Sequence, residues 1–461
     1  MNRLAAGAIG ILAICALGAQ AATAEFEAQV DGAAAAVLES SGVPSASVAV
    51  IRDDHVVLVR AYGKARLEPS TAANPAMRYG IGSISKQFTA AAVMMLVEQG
   101  KLSLDDPVAK YFPALTRANE VRIRDLLNHT SGYRDYWPQD YVPEFMLTPI
   151  TVEQLMHDWA MQPLDFTPGT QYQYSNTGYV IAGAIVEKVS GQPLFELLRQ
   201  RIFEPLGMQS VVDINRGRLG STDATGYLRY ALGPPRPAPK EGAGWLFAAG
   251  GLAMTAGDLA RWDLAMLDGK LLAPASFAAM MTTRVLANGA SAQYGLGLDV
   301  YMQSGRRVLE HGGEVSGFVA ENVLYPDQHA AIVVLTNQDA SSAAETLAER
   351  IRDLLFINDS PLTARQLQRA RDIFAGLQHG TIDRSLFTAN GNAYFSAPAL
   401  RDAQAGLAPL GTPQGFTQLS ESERGGMRTR RYEVKCPNAT LMVVARELAD
   451  GRFEQYQLQR E

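Results

Sequence analysis

Cysteine is nearly missing: the 461-residue chain has two, Cys15 and Cys436. Cys15 lies in an apolar N-terminal stretch that reads as a leader. With the leader removed Cys436 stands alone, and no intrachain disulfide can form. That excludes a small stapled domain and leaves a large apolar core to supply stability. The six histidines are scattered, with no H-x-x-x-H pair and no Cys/His cluster, so no metal and no other cofactor is expected. Basic excess is also absent. The 41 Lys and Arg against 47 Asp and Glu leave a formal charge of −6, which speaks against nucleic acid as a partner and against a polybasic membrane anchor. No uninterrupted apolar run reaches the roughly eighteen residues of a membrane-spanning helix. No G-x-S-x-G occurs, which disfavours an α/β-hydrolase.

The start of the chain carries a positive residue, Arg3, then an apolar stretch from Ile9 to Leu17. Small-residue cleavage sites follow at Ala19-Gln20-Ala21 or Ala22-Thr23-Ala24. This pattern predicts a signal peptide over residues 1–24 and a periplasmic or secreted protein. Ile14 is bulky where lipid attachment at Cys15 would call for a small residue, which argues against a lipoprotein.

After a helix over Ala28–Leu38, Ser47–Ile51 and Val56–Ala61 read as strands of a hairpin with Asp53-Asp54 as its turn. A second β-rich group comes late: Leu296–Tyr301, Arg307–Glu310, Phe318–Leu324 and Ala331–Leu335. A helix over Ala343–Phe356 follows, its Leu347, Ile351 and Leu354 at helical spacing. Strands early and late predict one antiparallel sheet flanked by helices. Residues 67–295 read as mainly helical, with a capping-box start at Thr151 and Gln154 and helices over Tyr179–Lys188 and Pro193–Ile202. The proline-rich run from Pro234 to Pro239 reads as a stiff loop, either a plain connector or a rim of the substrate cleft. The expected fold class is α+β. A catalytic domain spans 25–358, with an α/β part (25–66 and 296–358) and a helical part (67–295). A small α+β appendage spans 359–461, with helices over Leu362–Leu377 and Ala399–Leu407 and strands over Met427–Lys435, Ala439–Arg446 and Phe453–Gln459.

Ser83-Ile84-Ser85-Lys86 opens a mostly apolar segment, Gln87–Val97. Residues three apart share a helix face, so the Lys86 amine can reach the Ser83 hydroxyl. A serine hydroxyl is a poor nucleophile until a neighbour takes its proton. Alone, this S-x-x-K is weak, because a capping serine and a solvated lysine would give the same pattern. Two further motifs strengthen it. Tyr174-Ser175-Asn176 is the only Y-x-N in the chain and His311-Gly312-Gly313 the only H-x-G, in the order S-x-x-K, Y-x-N, H-x-G.

With these motifs the chain resembles the penicillin-recognising serine hydrolases: class C β-lactamases, D-alanyl-D-alanine carboxypeptidases, D-aminopeptidases and related family VIII-type esterases. The likeness includes Ile123 through Gly132 (Ile-Arg-Asp-Leu-Leu-Asn-His-Thr-Ser-Gly), Pro168-Gly169, Gly250-Gly251-Leu252 with Thr255 and Asp258, and Gly317-Phe318. It covers about residues 28–357.

The resemblance implies acyl transfer through an acyl-Ser83 intermediate. Lys86 favours a deprotonated partner by its charge, or takes the proton itself if burial lowers its pKa. Tyr174 is implied as general base or proton shuttle, which requires nearby cations to pull its pKa down from about 10. Asn176 is expected to bond Lys86 and a substrate carbonyl. His311, Gly312 and Gly313 form the substrate-binding strand, and the backbone N–H groups of Ser83 and Glu314 the oxyanion hole. Classical β-lactamases usually have Lys-Thr-Gly at the third motif. Neutral histidine and glycine weaken that site for a substrate carboxylate, which favours esterase or D-peptidase chemistry over β-lactamase chemistry. The expected partners are small-molecule esters, amides or D-amino-acid peptides.

The same residues admit three other readings. A Ser83–His311–Asp triad would leave Lys86 and Tyr174 without a purpose. His129-Thr130-Ser131-Gly132 reads as a packed turn supporting the helical part rather than as a second hydroxyl site. A penicillin-binding-like protein without turnover is disfavoured by the intact Ser83, Lys86, Tyr174 and Asn176.

Overall fold

The structure is a computed structural model that describes residues 24–139, 141–356, 361–424 and 426–460. The expected leader lies outside the described residues, apart from residue 24. The chain divides into two compact units, residues 1–351 and 352–461.

The first unit is built on a seven-stranded antiparallel sheet. Its strands are β1 (Ser45–Arg52), β2 (His55–Arg66), β3 (Thr71–Ala72), β4 (Asp299–Gln303), β5 (Arg306–Val315), β6 (Phe318–Tyr325) and β7 (Ala330–Thr336). Their spatial order is β3-β2-β1-β7-β6-β5-β4, so the first and last strands in sequence meet at the centre. There β1 pairs with β7 from Ala46 opposite Thr336 to Ile51 opposite Ala331. Every residue of β7, and all of β1 except Arg52, is buried. Strands covered on both faces read as continuous apolar runs, and these two do. The β1–β2 hairpin turns on Asp53 and Asp54, both with positive φ (51° and 60°), the requirement of a type I′ turn that a short Asx side chain tolerates. Strand β4 starts at Asp299, where the sequence reading had begun it at Leu296. Leu296 and Leu298 are buried instead in the approach to it.

The helix Ser85–Glu98 runs through the core. Every residue from Ser85 to Leu96 is buried, as expected of a helix enclosed on all sides. It packs against the helix Asn176–Ser190 and the short helix Phe247–Gly250. The middle stretch is less purely helical than its pattern suggests. Tyr79–Gly80, Leu252–Met254 and Val212–Asp213 form a three-stranded sheet, and Tyr227–Leu228 pairs with Arg236–Pro237 inside the proline-rich run. The capping box at Thr151 is only half made: the Gln154 amide donates to Thr151 Oγ1 at 3.1 Å, but the Gln154 side chain turns to Asp158 at 2.8 Å.

The second unit has its own core around Phe374, Tyr432, Val443, Phe453 and Tyr456. Helices Pro361–Gln378, Ala389–Tyr394 and Ala397–Leu407 precede a sheet of Gly415–Arg424, Met427–Cys436, Ala439–Glu447 and Phe453–Arg460, paired in chain order. The sequence reading did not include the Ala389–Tyr394 helix or the Gly415–Arg424 strand. Cys436 is buried as a free thiol.

A buried polar chain ties the core helix to the sheet. Trp262 Nε1 donates to Gln87 Oε1, Gln87 Nε2 to Asn322 Oδ1, and Asn322 Nδ2 to Asp263 Oδ2, each at 2.8–2.9 Å. Asp263 Oδ1 has no partner, and burial pushes this carboxyl well above the usual range. A carboxyl raised in the folded state withdraws stability as pH climbs above its unfolded pKa of roughly 4. Asp263→Asn is therefore expected to match the parent in thermal stability near pH 4 and to exceed it at pH 8. Melting curves at the two pH values check this; identical pH dependence in both proteins would rule it out.

Candidate active site

Ser83 sits in a single turn of 3-10 helix, Gly82–Ile84, that runs directly into the core helix. Gly82 holds φ at +50°, and a Cβ there would come within 2.6 Å of the Glu314 amide nitrogen, so only glycine fits. Because the helix is enclosed, Lys86 is forced into the interior with no exposure. Its Nζ lies 2.8 Å from each of Ser83 Oγ, Asn176 Oδ1 and the Ala249 carbonyl oxygen. Burial lowers the pKa of this amine to about 7, opposed by the charge of Asp135. Near neutrality Lys86 thus exists partly as a free base. In that form it donates two hydrogens to Asn176 and Ala249 and presents its lone pair to the Ser83 hydroxyl.

The Tyr174 phenol is close enough for the Ser83 side chain to influence its ionisation, and its ring centroid lies 4.9 Å from Lys86 Nζ. The expectation that cations pull its pKa down is overturned. Burial is the dominant influence and pushes the phenol well above 10, against a smaller opposing effect of the Ser83 hydrogen bond. A phenol so desolvated stays protonated and acts as a donor.

Asn176 opens the helix Asn176–Ser190, behind a Ser175 cap that accepts from the Gly178 amide. With Oδ1 occupied by Lys86, its Nδ2 donates to Asp135 Oδ2 at 3.3 Å. Asp135 also accepts from the Asn176 and Trp137 amides. The sequence reading missed Asp135. Its only local signal was an acidic residue a few positions beyond the His129–Gly132 segment.

That segment is a support. His129 stacks on Tyr174 with ring centroids 4.1 Å apart, and its Nδ1 accepts from the Ser175 amide at 3.1 Å. Its carbonyl receives the Gln173 amide, and the Thr130 carbonyl receives Gly169. Both ends of the loop carrying Tyr174 are thereby fixed.

His311 is placed differently from the substrate-facing role the motif implied. It is buried and does not line the cavity beside Ser83. Its Nδ1 is 2.6 Å from the Gly312 carbonyl oxygen, so Nδ1 carries the proton and Nε2 accepts from Tyr294 at 2.7 Å. Burial, aided by the Lys86 charge, lowers its pKa to about 3, which keeps it neutral. Tyr294 was not singled out from the sequence either. Gly312 is exposed and lies outside the cavity lining. Gly313 brings β5 against the nucleophile turn: a Cβ there would collide with the Ile81 carbonyl oxygen and lie 3.2 Å from the Ser83 nitrogen. Glu314, next along, lines the same cavity as Ser83.

That cavity holds about 360 Å³. Ser83, Tyr174 and Asn176 line it together with aromatic residues such as Tyr136 and Trp137. Asp135, Glu314 and Asp339 add three carboxylates, and among the described residues no Lys, Arg or His belongs to its lining. Among the described residues no group of three His, Cys, Asp or Glu is arranged to hold a metal, and no helix is long and apolar enough to cross a membrane.

The geometry sets a serine hydroxyl beside a buried lysine amine. The chain belongs to the Beta-lactamase family, whose model matches residues 30–356. It is 30% identical over 304 residues to a D-aminopeptidase of Brucella anthropi, a match covering 65% of this chain and 57% of that protein. The chain thus spans little more than half the length of the curated relatives it matches. Among solved structures, a D-stereospecific amidohydrolase from Streptomyces sp. is 28% identical with a TM-score of 0.60, covering 70% of this chain and 97% of that one. The octameric penicillin-binding protein homologue from Pyrococcus abyssi shares the fold over 94% of this chain and 99% of its own, at 22% identity and a TM-score of 0.61.

Gly313→Ala would wedge β5 away from the Ser83 turn. Labelling of Ser83 by a fluorophosphonate is expected to slow by about 100-fold, with an unchanged circular dichroism spectrum. Labelling at the parent rate would show that the close approach is unnecessary.

Proposed function

We propose that the protein is a serine hydrolase that works through an acyl-Ser83 intermediate on small carboxylic esters and amides, D-amino-acid amides and peptides included. The observation that carries this reading is the fully buried Lys86 amine, poised near neutrality 2.8 Å from the Ser83 hydroxyl. Neutral Lys86 takes the Ser83 proton as Oγ bonds to the carbonyl carbon. The backbone amides of Ser83 and Glu314 receive the oxyanion. The protonated phenol of Tyr174 donates to the leaving nitrogen or oxygen as its bond to carbon breaks, and regains a proton from the Lys86 ammonium. Water then attacks the acyl-Ser83 ester, with the same groups moving its proton to release the acid.

The acidic lining supports an acyl group that bears an ammonium. Asp135, Glu314 and Asp339 repel the carboxylate of a β-lactam, and neutral His311 supplies no counter-cation. The names of the relatives, a D-aminopeptidase and a D-stereospecific amidohydrolase, agree with that preference. We also propose export by the leader over residues 1–24. Intact mass of the protein recovered from a periplasmic fraction tests it, and retention of residues 1–24 would refute it.

A panel of p-nitrophenyl acetate, D-alanine p-nitroanilide and nitrocefin tests the function. Ester and D-amide turnover are expected to exceed nitrocefin turnover, and Ser83→Ala to lose all of it. Rapid nitrocefin hydrolysis alone would reassign the protein as a β-lactamase. Absence of any turnover and of any Ser83 adduct in folded protein would make it a binding protein.

Lys86 must be neutral to accept the proton, so acylation is expected to rise with pH through about 7 and level off above it. Lys86→Arg, which keeps the charge at every accessible pH, is expected to lower acylation by at least about 100-fold. A flat parent profile between pH 5.5 and 8.5 would remove Lys86 as the base.

A further inference from the structure

A second cavity of about 330 Å³ adjoins the first, and Leu246, Val315 and Ser316 line both. Its charge is of the opposite sign. Arg216, Arg218 and Lys240 face it, against a single carboxylate, Glu241. The acids nearby offset these cations only in part: Glu241 and Asp223 favour the Lys240 ammonium, and the charge of Arg216 acts on Asp213. Asp223 is held by Arg78 in a two-pronged pair at 2.7 and 2.8 Å, and Glu241 accepts from the Ser316 amide at 2.9 Å. Asp213, the acid beside Arg216, is engaged by the Asn215 amide at 2.8 Å. Burial lowers the pKa of Lys240 and the charge of Arg218 adds to this, against the opposing charges of Glu241 and Asp223, so an anion between Arg218 and Lys240 relieves their mutual repulsion.

The loop bearing the two arginines is firmly anchored to the active site. Asn215 Oδ1 accepts from the amides of Gly244, Leu246 and Phe247 at 2.9–3.1 Å. Residues 247–250 then form the short helix whose Ala249 carbonyl receives Lys86. The cation loop and the base of the nucleophile are therefore parts of one hydrogen-bonded frame.

We propose that this second cavity is a subsite for the terminal carboxylate of a short peptide, held by Arg218 and Lys240 with Arg216 beside them. This rests on the reading of the first cavity given above. If the acidic cavity takes the ammonium and Ser83 attacks the first carbonyl, the carboxylate belongs to the leaving portion. The cleft then carries a charge gradient matched to a zwitterionic peptide, and it discriminates against substrates blocked at either end.

Binding to Ser83→Ala protein separates this subsite from catalysis. Calorimetric titration with D-alanyl-glycyl-glycine and with its C-terminal amide is expected to show about fivefold tighter binding of the free acid at low ionic strength, narrowing as salt is added. Adding Arg218→Gln and Lys240→Gln is expected to bring the ratio to one. In the Ser83-containing protein the same two substitutions are expected to leave p-nitrophenyl acetate turnover unchanged, which also checks folding. Equal affinity for the two peptides, a preference that survives both substitutions, or no binding of either peptide overturns the subsite. Failure of the parent to cleave D-amides, with the carboxylate preference intact, would fault the reaction assigned above and leave the subsite standing.

Discussion

The arrangement depends on one enforced burial, that of the Lys86 amine. The core helix has no solvent-facing side over Ser85–Leu96, so the lysine cannot turn outward. An ammonium deprived of water is strongly disfavoured unless acceptors replace the water. Three acceptors stand at 2.8 Å, one of them the Ser83 hydroxyl. They keep the amine in place without restoring the basicity of an exposed lysine. The half-buried Asp135 carboxylate, tied to Asn176 and Trp137, sets the balance from the other side. The group that would activate Ser83 is thus made by desolvation of a common side chain.

Around that amine the protein keeps the neighbouring histidines and tyrosines neutral. His129 and His311 are both held below their usual range by burial and by the Lys86 charge. Tyr174, Tyr179 and Tyr294 are held above theirs by burial. His129 lies 4.1 Å from Tyr174 and 4.6 Å from Tyr294, centroid to centroid. This aromatic layer orients Tyr174 and adds no competing charge. It explains how histidine can occupy the third motif: at that position the side chain packs inward and orders Tyr294, while the strand backbone faces the nucleophile turn.

Charge is instead displaced to the cavity walls. The carboxylates lining the first cavity come from residues 135, 314 and 339, and the cations of the second from 216, 218 and 240. The two cavities share Leu246, Val315 and Ser316, so linings of opposite charge adjoin.

Much of this was legible in the residues themselves. The three-residue spacing of Ser83 and Lys86, the unique Y-x-N and H-x-G, the Asp53-Asp54 turn and the apolar strands β1 and β7 are local patterns. Local patterns obey backbone periodicity and turn sterics, which need no knowledge of the rest of the chain. Which proton carrier is basic was not legible, because a pKa follows from everything packed around a group: Tyr174 was expected to be lowered and is raised, while Lys86 is the one brought near neutrality. The inward turn of His311, the contribution of Asp135 and Tyr294, and the opposed signs of the two cavities were likewise decided by tertiary structure. Each joins segments tens to hundreds of residues apart, and electrostatics depends on distance through space and on lost water, neither of which is written in the order of the residues.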